Sequence, residues 1–147
     1  MIYLDTSALV KRFVEETGTS VVRALRSREP HRATATIAYA ELYAGLARKR
    51  RDGHLPQDSY ARLRRHIEDE WPSYVRVELL REILDLSREL LERHPLRGFD
   101  AIHLASALSV KTRLEEDILF LASDVKLLRA AGAEHLKTLN VEQPSTL

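Results

Sequence analysis

Met1-Ile2-Tyr3-Leu4-Asp5-Thr6-Ser7-Ala8-Leu9-Val10-Lys11 is the stretch on which the reading of the whole chain turns. Ile2 to Leu4 are apolar without alternation, too short for a helix and of the kind shown by strands buried on both faces. An acid follows at once, then two hydroxyl residues, then a helix-like pattern. Residues 2–5 therefore predict a buried strand, with Thr6 and Ser7 as candidate N-caps of a helix reaching about Val14.

The same order of strand, acid and helix recurs late in the chain. Ile118–Ser123 is the strongest strand candidate, Asp124 ends it, and Val125–Ala131 reads as a short helix that Gly132 can cap in the left-handed conformation. Between these ends, periodicity predicts helices over Ser20–Arg28, Ala38–Arg51, Pro56–Trp71, Leu79–Arg93 and Phe99–Arg113. Leu79, Ile83, Leu86 and Leu90 form the clearest stripe, and Glu89–Arg93 is expected to support it as an i,i+4 pair. Short strands are expected at Ala33–Thr36, Tyr74–Val77 and Leu136–Leu139. Such alternation predicts one α/β domain over residues 1–147, built on a parallel sheet. In such sheets ligands bind beyond the carboxyl ends of the strands, at the topological switch point. Asp5 and Asp124 are the residues that end strands there.

Composition narrows the classes of function. With 44% apolar and 31% charged residues, the chain is neither disordered nor collagen-like. It contains no cysteine, which excludes a disulfide framework, a thiolate nucleophile and a Cys-ligated metal. The longest apolar run, Ile118–Ala122, is far short of the roughly 20 residues of a membrane span. No basic, apolar leader follows Met1, so the expectation is a cytoplasmic protein with no membrane partner. No two of the five glycines lie close enough to form a Gly-rich phosphate loop. Net charge is +1, but residues 48–66 hold Arg48, Lys49, Arg50, Arg51, Arg62, Arg64 and Arg65 against Asp52 and Asp58. A basic patch can therefore lie beside an acidic centre.

Four acids stand in unusual places. Asp5 and Asp124 end apolar strands, Glu41 shares a helical face with Ile37, Ala44 and Gly45, and Asp100 opens a helix between Phe99 and Ala101-Ile102. Asp124 and Asp100 also suit helix capping and the helix dipole. Glu68, Glu70, Glu89, Glu92, Glu115 and Glu116 read as acids of solvated faces. If the four converge, two carboxylates about 5 Å apart repel by roughly 3 kcal/mol at an effective dielectric near 20. A hard divalent cation relieves that repulsion, and an all-oxygen donor set suits Mg²⁺ or Mn²⁺. Acids holding such a metal beside a basic rim point to phosphodiester hydrolysis.

These residues resemble the PIN domain family. The opening Met1–Lys11 stretch matches the family's first acidic motif, and Ala40-Glu41-Leu42 its second. Gly98-Phe99-Asp100-Ala101-Ile102-His103-Leu104-Ala105-Ser106-Ala107 matches the third, and Phe120-Leu121-Ala122-Ser123-Asp124 the fourth. The resemblance covers essentially the whole chain and is greatest to free-standing domains of the VapC type. It implies a three-layer sandwich with a five-stranded parallel sheet, order 3-2-1-4-5, flanked by about seven helices. It implies a Mg²⁺- or Mn²⁺-dependent endoribonuclease, the toxin of a toxin–antitoxin pair, acting on an RNA such as tRNA or rRNA. Asp5, Glu41, Asp100 and Asp124 would then be the catalytic and metal-binding acids. A homodimer and a cognate antitoxin that blocks the site are implied partners. Ala122 departs from the pattern, since many members carry Thr or Ser there, and Ser123 is the nearest hydroxyl.

Around these acids, Thr6 and Ser7 are candidates to orient a carboxylate. Lys11, Arg48, Arg50 and Arg51 are candidate RNA contacts, with a solvated lysine and a solvated helix end as the plainer readings. His103 reads as a satisfied histidine on its helix. Tyr39, Tyr43, Tyr60 and Trp71 suit base stacking, a core or a dimer interface. A nuclease of RNA maturation and an inert binding module on the same fold are the competing readings. Four intact acids weigh against the inert module, which has no use for their repulsion.

Overall fold

The structure is a computed structural model and describes residues 1–144. Strands β1 (Ile2–Leu4), β2 (Arg32–Ala35), β3 (Val75–Val77), β4 (Leu119–Ala122) and β5 (Lys137–Asn140) alternate with helices. The helices are α1 (Thr6–Phe13), α2 (Thr19–Arg28), α3 (Ile37–Arg51), α4 (Gln57–Glu70), α5 (Arg81–Arg93), α6 (Gly98–Leu114) and α7 (Val125–Ala133). The five strands form one parallel sheet in the order β3-β2-β1-β4-β5. Both the fold class and the strand order expected from the sequence are observed.

Alternation along each strand builds two cores, one on each face of the sheet. Tyr3, Phe120 and Ala122 point to the side covered by α5, α6 and α7, where they meet Ile83, Leu90, Leu104 and Leu127. Ile2, Leu4 and Leu121 point to the side covered by α1 to α4, where they meet Leu9, Leu42 and Ile67. Tyr3 and Phe120 are register partners and stack at 5.4 Å between centroids, a pair that contributes about 1 kcal/mol beyond its buried area. Helix α6 buries residues on all sides, Ala101, Leu104, Ala105 and Val110 among them, because it runs as the central helix of its layer.

Several local expectations are corrected. Asp5, not Thr6 or Ser7, is the N-cap of α1, accepting from the Ala8 N–H at 2.9 Å. Gly132 lies inside α7, and the left-handed residue beyond that helix is His135 (φ 68°). Helix α5 starts at Arg81, leaving Leu79 and Leu80 exposed ahead of it. Arg93 pairs with Glu134 at 2.8 Å, not with Glu89, because the end of α7 supplies a better-placed carboxylate. Residues 71–73 tighten into a 3₁₀ turn around Pro72.

Lys11 is neither solvated nor free to touch a phosphate. It is buried, and its Nζ donates to Glu16 at 2.9 Å and Glu142 at 2.8 Å, which ties the end of α1 to residues beyond β5. Its stem lies against Gly18, whose φ of 95° and lack of a side chain make the contact possible: a Cβ there would stand 2.7 Å from the Val141 carbonyl oxygen. Glu70, expected on a solvated face, is also buried, amid Arg12, Arg26 and Arg32.

Candidate active site

The order of the strands places β1 beside β4, so the acids that end them become neighbours at the carboxyl edge of the sheet. Asp5 N–H donates to the Leu121 carbonyl at 3.1 Å. Ser7 Oγ donates to Asp5 Oδ1 at 2.6 Å and accepts from the Ser123 N–H at 3.0 Å, stitching the two strand ends together. Ser7 thus contacts the Asp5 carboxylate through its hydroxyl, whereas Ser123 contributes its backbone N–H. Asp124 caps α7 by accepting from Leu127 N–H at 3.0 Å. Asp100 is the third residue of α6, and its Oδ2 accepts from the Arg97 N–H at 3.4 Å. At Asp5 and Asp124 capping and clustering coincide because α1 and α7 start where β1 and β4 end. The partial positive charge of a helix N-terminus also eases the crowding of carboxylates.

Glu41, in the second turn of α3, is held from two sides. Thr6 Oγ1 donates to Glu41 Oε1 at 2.7 Å, and His103 Nε2 lies 2.9 Å from the same oxygen. His103 is buried and satisfied, as its helix position suggests, but its partners reach across the fold. The Tyr3 hydroxyl lies 3.0 Å from Nδ1, and Nε2 lies within hydrogen-bond distance of both Glu41 Oε1 and Thr6 Oγ1. This fixes the imidazole and, through it, one oxygen of Glu41.

The acids share one field. Burial pushes the Asp5 carboxyl up from its ordinary value; His103, Ser7 and Ala8 oppose the shift without cancelling it, and Asp100 adds to it. Burial also pushes Glu41 up, but hydrogen bonds from His103 and Thr6, with the charge of Arg97, outweigh it and hold Glu41 below its ordinary value. Arg97 is the cation among them. Its Nε lies 3.2 Å from Asp100 Oδ2 and its Nη2 3.8 Å from Asp124 Oδ2, and Asp100, Asp124 and Glu41 all raise its pKa. The structure thus brings all four acids predicted from the sequence to one edge. Among the described residues, no three Asp, Glu or His side chains stand ready to grip one ion as they are arranged.

The donor set nevertheless fits a hard cation. It is all oxygen, it holds a desolvated carboxylate, and an exposed guanidinium already supplies part of the missing counter-charge. Arg97 was missed by sequence reasoning. Its position three residues before Asp100, at the N-cap of α6, is the signal that could have found it. The basic residues lie elsewhere: Arg48, Arg50 and Arg51 are exposed at the far end of α3, with Arg50 over the Tyr60 ring at 4.3 Å. Tyr39 and Tyr43 are part-exposed and both donate to Glu68 at 2.6 Å, so they line the α3–α4 hairpin, and Tyr43 also packs against the core on that side of the sheet.

Comparison with known proteins agrees with this arrangement. The PIN domain family model matches residues 2–133. The chain belongs to the PIN domain family. Curated relatives place it among PIN domains of the VapC type. Ribonuclease VapC45 of Mycobacterium tuberculosis (strain CDC 1551 / Oshkosh) is 38% identical over 110 residues, covering 75% of this chain and 76% of the relative. Ribonuclease VapC47 of the same strain is 33% identical over 132 residues, covering 87% and 88%. Among solved structures, FitAcB from Neisseria gonorrhoeae shares the PIN fold with a TM-score of 0.70 at 17% identity, over 96% of this chain and 98% of the other. A toxin–antitoxin complex from Klebsiella pneumoniae does so with a TM-score of 0.59 at 18% identity, over 86% and 88%.

Proposed function

We propose that this PIN domain is a divalent-metal-dependent endoribonuclease and the toxin of a toxin–antitoxin pair. The observation that carries the reading is the convergence of Asp5, Glu41, Asp100 and Asp124 at one edge, with Arg97 between Asp100 and Asp124. The ribonuclease names of its VapC relatives support the substrate class. Asp5, Asp100, Glu41 and Asp124 would hold Mg²⁺ or Mn²⁺, which when bound polarises a phosphoryl oxygen and lowers the pKa of water. The chain's own residues do the rest. Ser7 and the α1 N-terminus orient Asp5, and Thr6 and His103 lock one oxygen of Glu41 and leave Oε2 for other partners. An antitoxin that covers this edge and a homodimeric state complete the proposal, as the resemblance to the family implies.

The decisive experiment incubates the purified protein with mixed structured RNAs in EDTA, Mg²⁺ or Mn²⁺. Discrete cuts in either metal and none in EDTA are expected. Absence of both cleavage and calorimetric metal binding refutes the proposal.

Arg97 gives a second measurement. Because it neutralises Asp100 and Asp124 before any ion arrives, Arg97→Gln should bind Mn²⁺ several-fold more tightly by calorimetry, rather than equally or more weakly.

A further inference from the structure

Phe99 has the highest exposure of the large hydrophobic residues found at the surface, 58%, and it precedes Asp100 directly. Leaving an aromatic side chain in water forfeits the burial that normally justifies it. Nothing in the fold uses this one: among the described residues no aromatic ring or cation lies against it, and it belongs to neither core. It is the second residue of α6, whose first turn carries the Arg97–Asp100 contacts. A cavity of about 400 Å³ opens beside it, lined by Glu41, Arg97, Gly98, Phe99, Asp100 and Ile102. Nothing lies within 4 Å in the direction a Gly98 side chain would take, so the approach over the helix start is clear.

We infer that Phe99 is a stacking platform for a nucleobase of the RNA next to the phosphate held at the acids. The inference rests on the ribonuclease reading and names a subsite of that same site. Three features make a base the fitting occupant. The cavity joins an apolar floor, Phe99 and Ile102, to a wall that carries two of the four acids. Arg97 and Asp100 line both that cavity and a second one, which also holds Asp124 and Lys126 and is where the phosphate would sit with the metal held by the acids. A base on one side and its phosphate on the other match a nucleotide straddling Asp100. Stacking on an aromatic ring tolerates every base, because each has a π face. Phe99 therefore contributes affinity and register, and leaves the choice of RNA to other contacts.

The test uses the cleavage-dead Asp5→Asn protein, with and without Phe99→Ala, Phe99→Tyr or Phe99→Trp. The probes are a short fluorescein-labelled single-stranded RNA and versions with one abasic site at each position in turn. Phe99→Ala is expected to weaken binding about tenfold, with Tyr and Trp retaining it. One abasic position should cost the Phe99 protein the same factor and cost the Ala variant little, the signature of a direct pair. Melting temperatures should coincide, since the ring is exposed. Equal RNA binding by the Ala variant overturns the stacking role and leaves the ribonuclease reading standing. A loss independent of which base is removed assigns Phe99 to the shape of the site and likewise overturns the role. No RNA binding by any of the proteins overturns both.

Discussion

Asp5→Asn is expected to lower RNA cleavage by about 10³-fold or more, while the metal-free protein melts no lower than the wild type. The two outcomes have one cause. Asp5 Oδ1 accepts hydrogen bonds from Ala8 N–H at 2.9 Å and Ser7 Oγ at 2.6 Å, and an amide oxygen accepts both. The cap is therefore kept and only the charge is lost. That charge is a burden without metal, because burial raises the Asp5 pKa and Asp100 raises it further. A carboxyl group with a raised folded-state pKa binds protons more readily when folded. Its contribution to stability falls as pH rises from the ordinary aspartate range through the raised value, and is level above that. The gain from Asn should thus be present at neutral pH and vanish in acid below the ordinary aspartate range. Thermal melts of both proteins in EDTA across that interval, beside a cleavage assay, check both halves. A clear loss of metal-free melting temperature would mean that the Asp5 charge is compensated within the fold and that no acidic cluster awaits a cation.

Glu70→Ala should destabilise the fold by about 3 to 5 kcal/mol, lowering the melting temperature by roughly 10 °C, with no direct contact to the acidic edge. Glu70 is buried and accepts from Arg12 at 2.6 and 3.0 Å and from the Tyr74 hydroxyl at 2.8 Å, with Arg26 at 3.3 Å and Arg32 at 3.8 Å. One carboxylate thus neutralises guanidinium groups from α1, α2 and β2 at the point where α4 ends. Removing it leaves partly buried positive charges near one another, which costs more than the lost hydrogen bonds. Burial pushes the Glu70 carboxyl up, but the Tyr74 and Arg12 hydrogen bonds and the charges of Arg12 and Arg26 outweigh it, so its pKa lies below the ordinary value. The stability it supplies is present above the ordinary glutamate range and is lost as pH falls through the lowered value. Glu70→Gln should consequently lose less than Ala and should lack this part of the acid sensitivity. A melting temperature for Glu70→Ala within about 2 °C of wild type would show that the three arginines are solvated in solution.

The contrast between Asp5 and Glu70 shows where the sequence is legible. Asp5 is flagged by its own neighbours: an apolar strand before it and a capped helix after it leave an acid in a place that local structure makes costly. Glu70 sits in the run Glu68-Asp69-Glu70, which looks like any acidic helix end. Its cations come from positions 12, 26 and 32, and no local pattern announces them. Lys11 was misread for the same reason, because its partner Glu142 lies across nearly the whole chain. Gly132 misled in another way. A glycine after a helical stripe suits a left-handed cap, but α7 runs through it, and His135 takes that conformation instead.

By itself, the sequence determined the order of strands and helices and the α/β class, and it singled out four acids in unusual places. These rest on periodicity, capping and motif order, which act over a few residues and survive any tertiary arrangement. The tertiary structure alone decided which charges meet. It set Arg97 between Asp100 and Asp124, locked Glu41 through Thr6, His103 and Tyr3, buried Lys11 and Glu70, and left Phe99 bare beside the acids. Charge pairing and burial depend on distances of a few ångströms between residues far apart in the chain, and those distances exist only once the sheet has closed the order β3-β2-β1-β4-β5.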